Sequence, residues 1–412
     1  MEGSLNPVRI AIIGGGAAGI FAAISAKEEN PSATVFVFEK SSRFLAKVRI
    51  SGGGRCNVTH ACFDPKELVD HYPRGSKELL GPLYRWQPSD TVEWFADRGV
   101  SLKTESDGRM FPTTDSSQTI VDCLLNAAKD AGVKLCPQTG IDRVELLDTG
   151  NFSLTVLGEK RVEFDRLILA TGGGRDSVGH RIAQSVGHSL STLAPSLFTF
   201  HIRDPLIEDL QGLSVPRVTV ECPAVKLSHE GPLLITHWGL SGPAVLKLSA
   251  WGARAFAQLD YHFEVRVNWT GDLDREKVSR LLIQAKQQHG AKQIGSFGFQ
   301  QLPRRLWDRI LRVGGIAPET KFSQVSHRNL DSLAKALVAY RFSVTGKSMN
   351  KEEFVTCGGV ALREVDFKRM ESKLVPRLYF AGETLDIDGV TGGFNFQAAW
   401  TTGRIAGTSA AK

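Results

Sequence analysis

The chain is short of residues that would staple it, bind a metal or anchor it in a membrane. Six cysteines occur in 412 residues: Cys56, Cys62, Cys123, Cys136, Cys222 and Cys357. No two of them form a C-x-x-C pair, so neither a zinc site nor a dithiol redox motif is expected, and no metal site is assigned. No apolar stretch approaches the ~18 residues that span a bilayer, so no membrane partner is expected. The first residues run from Met1 into an apolar segment by Val8 without a basic stretch and a long apolar region, so no secretory signal is expected. A reducing cytoplasm with free thiols is the corresponding expectation. Runs of five or six like charges are also missing. The formal charge of +6 is spread over 50 Lys and Arg and 44 Asp and Glu. A basic stripe is the usual footprint of nucleic-acid binding, and without one such a partner is disfavoured. Hydrophobic residues make up 42% and charged residues 23%, an ordinary globular balance.

Glycine is plentiful, at 41, and it clusters at Gly14 to Gly16, Gly52 to Gly54, Gly172 to Gly174 and Gly392 to Gly393. Clustered glycine means backbone close to something, or turns with positive φ. Val8 to Ile13 reads as a strand buried on both faces. A helical pattern over Ile20 to Glu29 follows and Asn30-Pro31 ends it. Thr34 to Phe38 is a second strand, closing a β-α-β unit. Lys40 to Thr59 reads as an extended polar loop. Helices are expected at Ser89 to Arg98 and Ser117 to Gly132. Strands are expected at Val133 to Leu135 and Arg143 to Leu147, as a hairpin at Phe152 to Val156 and Arg161 to Phe164, and at Arg166 to Ala170. Past Pro195 short strand-like runs take over: Phe198 to Ile202, Val215 to Glu221, Ala224 to Leu227, Pro232 to Ile235 and Tyr261 to Val267. They suggest a small antiparallel barrel or sandwich. Helical patterns follow at Asp274 to His289, Leu302 to Leu311 and Asn329 to Ala339, the last with Asn329 as a cap. The expected fold class is therefore α/β: a Rossmann-type domain over 1–195 and 346–412, interrupted by an inserted β-barrel-like plus helical domain over 196–345. At 412 residues, more than one domain is the natural outcome.

Gly14, Gly16 and Gly19 form G-x-G-x-x-G, with Gly15, Ala17 and Ala18 between them. The pattern follows a strand, opens a helix and has Glu39 twenty residues further on, which makes it specific. Gly14 makes the tight turn, Gly16 lets a pyrophosphate reach the backbone, and Gly19 lets helix and sheet close up. The helix N-terminus offers unpaired N–H groups to the phosphates. Glu39 suits ribose hydroxyls, with Lys40 beside it. This fingerprint fits FAD and NAD alike. A second glycine-rich segment near the C-terminus, Leu378 to Gly407, favours FAD: a strand leads into Gly382-Glu383, an acidic turn with Asp386 and Asp388, then Gly392-Gly393 and a helix. No second G-x-G-x-x-G follows a strand, so NAD(P)H is expected only as a transient reductant.

KVRISGGGRCNVT at Lys47 to Thr59, ATGGG at Ala170 to Gly174, THWGLSGPAVLKLS at Thr236 to Ser249, VTCGGVALREV at Val355 to Val365 and MESK at Met370 to Lys373 extend the pattern over nearly the whole chain. Together with the C-terminal segment they resemble the BaiN-like, or YhiN-type, NAD(P)/FAD-dependent oxidoreductases. That resemblance implies an FAD-binding Rossmann domain interrupted by an inserted β-rich domain, and redox chemistry on a small organic substrate. One departure stands out: Arg175-Asp176-Ser177-Val178-Gly179-His180 replaces the longer Pro/Thr/Gly-rich loop of relatives.

The resemblance implies cofactor contacts from Lys47, Gly52, Gly53, Arg55, Cys56 and Asn57, from the backbone of Val144, and from Thr171, Gly172 and Gly173. It implies further contacts from Gly382, Glu383, Asp386, Gly392, Gly393, Asn395, Phe396 and Gln397. Arg55 suits phosphate, reduced flavin or a structural carboxylate pair equally. Cys56 reads as a small packed residue rather than a redox thiol. Ser241 reads as a helix cap. His237, beside Trp238, is a weaker candidate for substrate contact. No catalytic acid or base is assigned. The expected activity is hydride transfer to or from flavin N5, with O₂ or NAD(P) as the redox partner. The alternatives are an NAD(P)H-dependent reductase of an unsaturated substrate and a non-catalytic flavoprotein binding RNA or protein.

Overall fold

A computed structural model describes residues 7–156, 160–174, 176–299, 302–348 and 355–412. The chain divides into two compact units, Met1–Ala194 with Lys351–Lys412, and Pro195–Asn350.

The first unit is built on a seven-stranded sheet. β1 (Arg9–Ile13) lies at its centre, parallel to β2 (Thr34–Phe38) on one side and to the Arg166–Leu169 strand on the other. Lys134–Cys136 extends the parallel set beyond β2, and Leu378–Phe380 extends it beyond Arg166–Leu169. An antiparallel pair, Val365–Asp366 and Glu371–Ser372, finishes that edge. Four of the five parallel strands are largely apolar and buried, as expected where both faces are covered, while Lys134–Cys136 at the free edge has no buried residue. Their C-terminal ends therefore share one edge, where Gly14, Glu39, Thr171 and Gly382 emerge.

α1 (Ala17–Glu29) crosses over one face and is covered by the C-terminal Phe394–Ala411 helix. The seam between them is made of small residues. A Cβ on Gly403 would lie 2.6 Å from the carbonyl oxygen of Ala18, and one on Gly407 would lie 2.1 Å from that of Ala22. At one end of the seam Phe21 meets Trp94 (4.9 Å between ring centroids), Trp400 (5.5 Å) and Trp86 (5.6 Å).

Ala46–Gly54 departs from the extended loop expected there. A helical turn forms at Ala46 and breaks where Ser51, Gly52 and Gly53 leave helical geometry. The short Ala-Lys-Val-Arg-Ile run is too brief for sequence periodicity to reveal.

The second unit holds an antiparallel seven-stranded sheet in the order Tyr340–Thr345, His262–Asn268, Ser214–Cys222, Leu227–Ile235, Gly239–Ser241, Thr199–His201, Lys347–Ser348. Its two edge strands are consecutive in the chain and meet at Gly346, so the sheet rolls round as a barrel. The expected strand at Ala224 to Leu227 is instead a 3-10 turn, Pro223–Val225, ahead of the long Leu227–Ile235 strand, because Pro223 opens a turn. Three helices follow: Arg275–His289, Arg304–Val313 and His327–Val338. Ser326, not Asn329, caps the last one, its hydroxyl accepting the Asn329 N–H at 3.1 Å. Ser241 is likewise not a cap. It ends a strand and accepts the Thr199 hydroxyl at 2.9 Å, while Gly242 precedes the helix. Among the described residues no helix is long and apolar enough to cross a membrane.

Gly407→Ala should wedge the helix seam. Overpacking of this kind costs about 1–3 kcal/mol. A urea titration of the full chain should show a lower midpoint for the first unit. An unchanged midpoint would mean that the seam has room to spare.

Candidate functional site

The C-terminal edge of a parallel sheet is where such folds bind ligands, beside the central strand where the chain order switches. Here it gathers most of the expected residues. Gly14 has φ +111, and a Cβ on it would lie 2.3 Å from the Ala170 carbonyl oxygen. Gly19 is as tightly placed, 1.9 Å from the Gly14 carbonyl oxygen by the same construction. Gly15 would strike Phe44 at 2.3 Å, whereas Gly16 would meet no protein atom within 4 Å. Gly16 is also the N-cap of α1 and supplies no side-chain cap, so the first-turn N–H groups face outward uncapped.

Glu39 is held before any ligand arrives. One carboxylate oxygen accepts the Gly15 N–H at 2.9 Å and the other the Ser41 N–H at 2.8 Å. Each oxygen keeps a lone pair for an outside hydroxyl. Lys40 is exposed beside it.

The second glycine cluster lies across the edge. Gly52, Gly53 and Gly54 all have positive φ, and added Cβ atoms on Gly53 and Gly54 would meet nothing. Asn57, with its amide oriented by its partners, donates to the Thr59 carbonyl at 3.0 Å and accepts the Gly393 N–H at 2.9 Å. This ties the loop to Gly392-Gly393. Lys47 pairs with Glu383 at 2.8 Å. Gly382 donates its N–H to the Thr402 hydroxyl at 2.9 Å, and a Cβ on it would lie 2.9 Å from that of Ala18. Gly173 packs on Thr356, while Gly172 and Gly174 face open space. Around them sit two buried hydroxyls without a partner among the described residues, Thr356 Oγ1 and Thr384 Oγ1. The His180 Nε2 atom meets the Thr384 carbonyl at 3.2 Å, and burial lowers the ring's pKa against the opposing hydrogen bonds to the Thr384 and Gly174 backbone. Thr171 is engaged with Ser177 at 2.8 Å.

Several expected residues are committed elsewhere. Arg55 bonds Glu105 at 2.7 Å, sits 3.6 Å from Asp115 and covers the Phe111 ring at 3.9 Å. Asn395 clamps Gly389 through its N–H (2.8 Å) and carbonyl (2.9 Å). The Gln397 side chain is fully buried between Thr59 (2.6 Å), Thr91 (3.1 Å) and Thr401 (3.1 Å). Phe396 stacks on Trp400 at 5.7 Å. Asp386 is buried and its N–H bonds the Val360 carbonyl at 3.2 Å, whereas Asp388 is wholly buried against Arg74. Val144 lies on the edge strand of a separate three-stranded sheet, opposite Leu154. His237 is exposed in the second unit; it is His201 that stacks on Trp238, at 5.2 Å. Arg175 lies outside the described residues.

Two features were not expected from the sequence. Phe394 packs against His71 (4.2 Å) and His60 (4.6 Å), which also lie 5.9 Å from each other, so the three rings form one cluster, and the Phe394 carbonyl accepts the Tyr72 hydroxyl at 2.7 Å. The Arg74–Asp388 pair joins residues 314 positions apart. Nothing local marks either arrangement. Thr356 and His180 do stand inside recognisable segments, VTCGG and the shortened loop after ATGGG.

Cys56 is buried, with φ +62. Desolvation pushes its thiol up to about 12, partly offset by Ser51. It is no thiolate at neutral pH, which matches its reading as a packed residue. A thiol pKa raised on folding stabilises the fold fully below about 8.5, the ordinary value, and that contribution is lost as pH rises toward 12. Stability measured across this window should fall more steeply for the native chain than for Cys56→Ala, which cannot titrate. Parallel curves would remove Cys56 as a source of alkaline sensitivity.

A family model described as HI0933-like protein Rossmann domain matches residues 8–409. A ribosomal RNA dihydrouridine synthase of Escherichia coli is 32% identical over 402 residues, 95% of each chain. A 3-dehydro-bile acid delta(4,6)-reductase of Clostridium scindens is 28% identical over 413 residues, 98% of this chain and 99% of that one. Among solved structures, a 3-ketosteroid-delta4-(5alpha)-dehydrogenase of Rhodococcus jostii shares the fold with a TM-score of 0.52 at 14% identity, covering 100% of this chain and 98% of its own. The sequence resemblance is thereby borne out along nearly the full length, and the chain belongs to the HI0933-like Rossmann family.

Proposed function

We propose that this chain is an FAD-dependent oxidoreductase that moves a hydride between the flavin and a carbon–carbon double bond conjugated to a carbonyl. One observation carries the cofactor reading. Gly16, Gly53, Gly54, Gly172 and Gly174 leave bare backbone with no protein atom near the missing Cβ, while neighbouring Gly14, Gly15, Gly19 and Gly173 are packed tight. Packing explains the second set; the first, open as surface glycines such as Gly81 and Gly99 also are, is set apart by belonging to the clustered glycine segments, as backbone against an extended ligand would be. The buried hydroxyls of Thr356 and Thr384, unpaired beside Gly173 and Gly382-Glu383, support the same reading.

The residues fit FAD in order. The uncapped α1 N-terminus and Gly14 to Gly19 would hold the pyrophosphate, with Ala17 and Ala18 turning away into the helix. Glu39 would take the adenosine ribose, Lys40 flanking it, and the Val144 strand would pass the adenine. Thr171, Gly172 and Gly173 would follow the far side of the chain. Asp386 suits the ribityl hydroxyls. Lys47, Gly52, Gly53, Asn57, Gly382, Glu383, Gly392 and Gly393 would surround the ring end. Arg55, Cys56, Asn395, Phe396 and Gln397 would act by shaping the backbone there. The Phe394–Ala411 helix begins without a side-chain cap, so its N-terminus favours negative charge at the ring. When bound, the flavin supplies the hydride chemistry, and the protein supplies position and electrostatics.

The substrate class comes from the two curated relatives. Dihydrouridine is uridine with its ring double bond reduced, and a delta(4,6)-reductase acts on double bonds; in both substrates a carbonyl activates the alkene. NAD(P)H as a visiting reductant, or O₂ as acceptor, completes the reading.

Gly16→Val separates the cofactor from the fold. Gly16 has φ −82, which valine tolerates, so the substitution should leave the melting temperature of the flavin-free protein unchanged. It should abolish FAD retention. Native protein should purify yellow and lose its visible flavin band anaerobically with NADPH or NADH, then regain it with an enone. A colourless native protein that cannot be reconstituted with FAD overturns the proposal.

A further inference from the structure

The net charge of +6 is unevenly distributed. Residues 274–338 hold 12 Lys and Arg against 5 Asp and Glu, a net of +7. The rest of the chain holds 38 against 39. The entire positive excess therefore sits in the helical part of the second unit, the three helices inserted between its His262–Asn268 and Tyr340–Thr345 strands. The sequence shows no run because the charges are dealt one at a time onto helix surfaces.

We propose that this helical lobe is an RNA-binding face that grips the phosphate backbone of a structured RNA. The inference goes beyond the redox reading, naming a polynucleotide as what carries the reducible base, and it stands on its own geometry. Along Arg304–Val313, Arg305, Arg309 and Arg312 recur at i, i+4 and i+7, a stripe about 10 Å long. Arg304 is exposed beside it. Arg305 donates to the Asp209 carbonyl, and Arg309 to those of Pro205 (3.0 Å) and Glu208 (3.3 Å). Backbone carbonyls fix these guanidiniums without neutralising them, and each keeps further N–H donors for a phosphate. Lys292 and Lys321 are exposed on neighbouring segments joined by the Gln293–Lys321 bridge. Among the described residues none of these six cations pairs with a carboxylate. The lobe's recorded ion pairs, Arg275–Asp331 and Lys277–Asp274, consume two of its five acids.

Charge complementarity selects a polyanion, and packing selects among polyanions. A helix that lies on a membrane inserts a free apolar face. The apolar face of Arg304–Val313 is Leu306, Trp307, Ile310 and Leu311, all buried in the core of the second unit. It has no face to insert. Phosphates spaced along a strand match an arginine stripe that is fixed in position. A 32% identical relative named for ribosomal RNA is consistent with that partner.

The test uses the full chain and a fluorescein-labelled RNA hairpin, followed by anisotropy across a salt series. Native protein should bind, with log affinity falling linearly against log salt. The variant Lys292→Gln, Arg304→Gln, Arg312→Gln, Lys321→Gln should bind at least tenfold more weakly near 0.15 M salt (about physiological). Its salt slope should be shallower by about 3, at roughly 0.7–0.9 per lost phosphate contact. A control variant, Lys66→Gln, Lys77→Gln, Lys129→Gln, Lys368→Gln, carries the same change in net charge and should match native protein. Should the lobe variant melt early, the single substitutions Arg304→Gln and Lys321→Gln each carry the test, with a slope change of about 1. The proposal is overturned by no RNA binding at low salt, by equal loss in the control, or by binding to anionic phosphatidylserine vesicles with none to RNA. FAD content and bleaching on the same samples keep the two readings apart: RNA binding by a protein that never holds FAD sinks the redox reading alone.

Discussion

The ligand end of the first unit depends on how closely α1 approaches its neighbours. On one side Gly19 lets the helix reach the Gly14 carbonyl, and Gly14 in turn lies against Ala170. On the other, Gly403 and Gly407 let the C-terminal helix press on Ala18 and Ala22. Any side chain at these four places would push α1 away by about the width of the atom added. The helix N-terminus would then miss the edge where β1, β2, Arg166–Leu169 and Leu378–Phe380 end together. Glu39 is tied to the same geometry through the Gly15 N–H, so the phosphate loop and the acid that follows β2 move as one piece. The C-terminal segment is locked to the fold by the same means, with Gly382 on Ala18 and Gly393 on Thr59.

Much of this was legible in the sequence. The limits of Thr34 to Phe38 are legible because a Val-Phe-Val-Phe run, apolar on both faces, follows Thr34. The glycine fingerprint was legible because each glycine answers to a steric need within a few residues. The turn at Ala46–Gly54 was not, since five residues of helix carry no periodicity. Nor was the capping at Ser326 in place of Asn329, a choice between two good cap residues three positions apart. What sequence reading misses most is partnership at a distance. Lys47 meets Glu383 across 336 positions, Arg74 meets Asp388 across 314, and His60 and His71 cluster with Phe394. Each residue alone looks like an ordinary surface or loop residue.

Charge illustrates the same limit on a larger scale. Averaged over the chain, +6 is unremarkable, and along the chain the basic residues look scattered. Divided by structural unit, one lobe carries all of the excess. The remainder of the second unit and the whole Rossmann unit are close to neutral.

The ionisable groups near the strand ends are largely spent on one another. Arg55 is held by Glu105 and Asp115, Lys47 by Glu383, and Arg74 by the buried Asp388. Burial lowers the His180 pKa, and Cys56 is far from ionising. A site that worked by general acid and base would keep a group titrating near neutrality and open to substrate. Among the described residues, the open backbone here has paired charges around it, with His60 and His71 against Phe394 beside Gly392. Such surroundings suit a bound group that brings its own reactivity and needs to be held still, with local dipoles rather than free charges setting its electrostatics. It also explains why no catalytic residue could be named from the sequence: on this reading the chain contributes geometry, and its glycines and paired charges are how it does so.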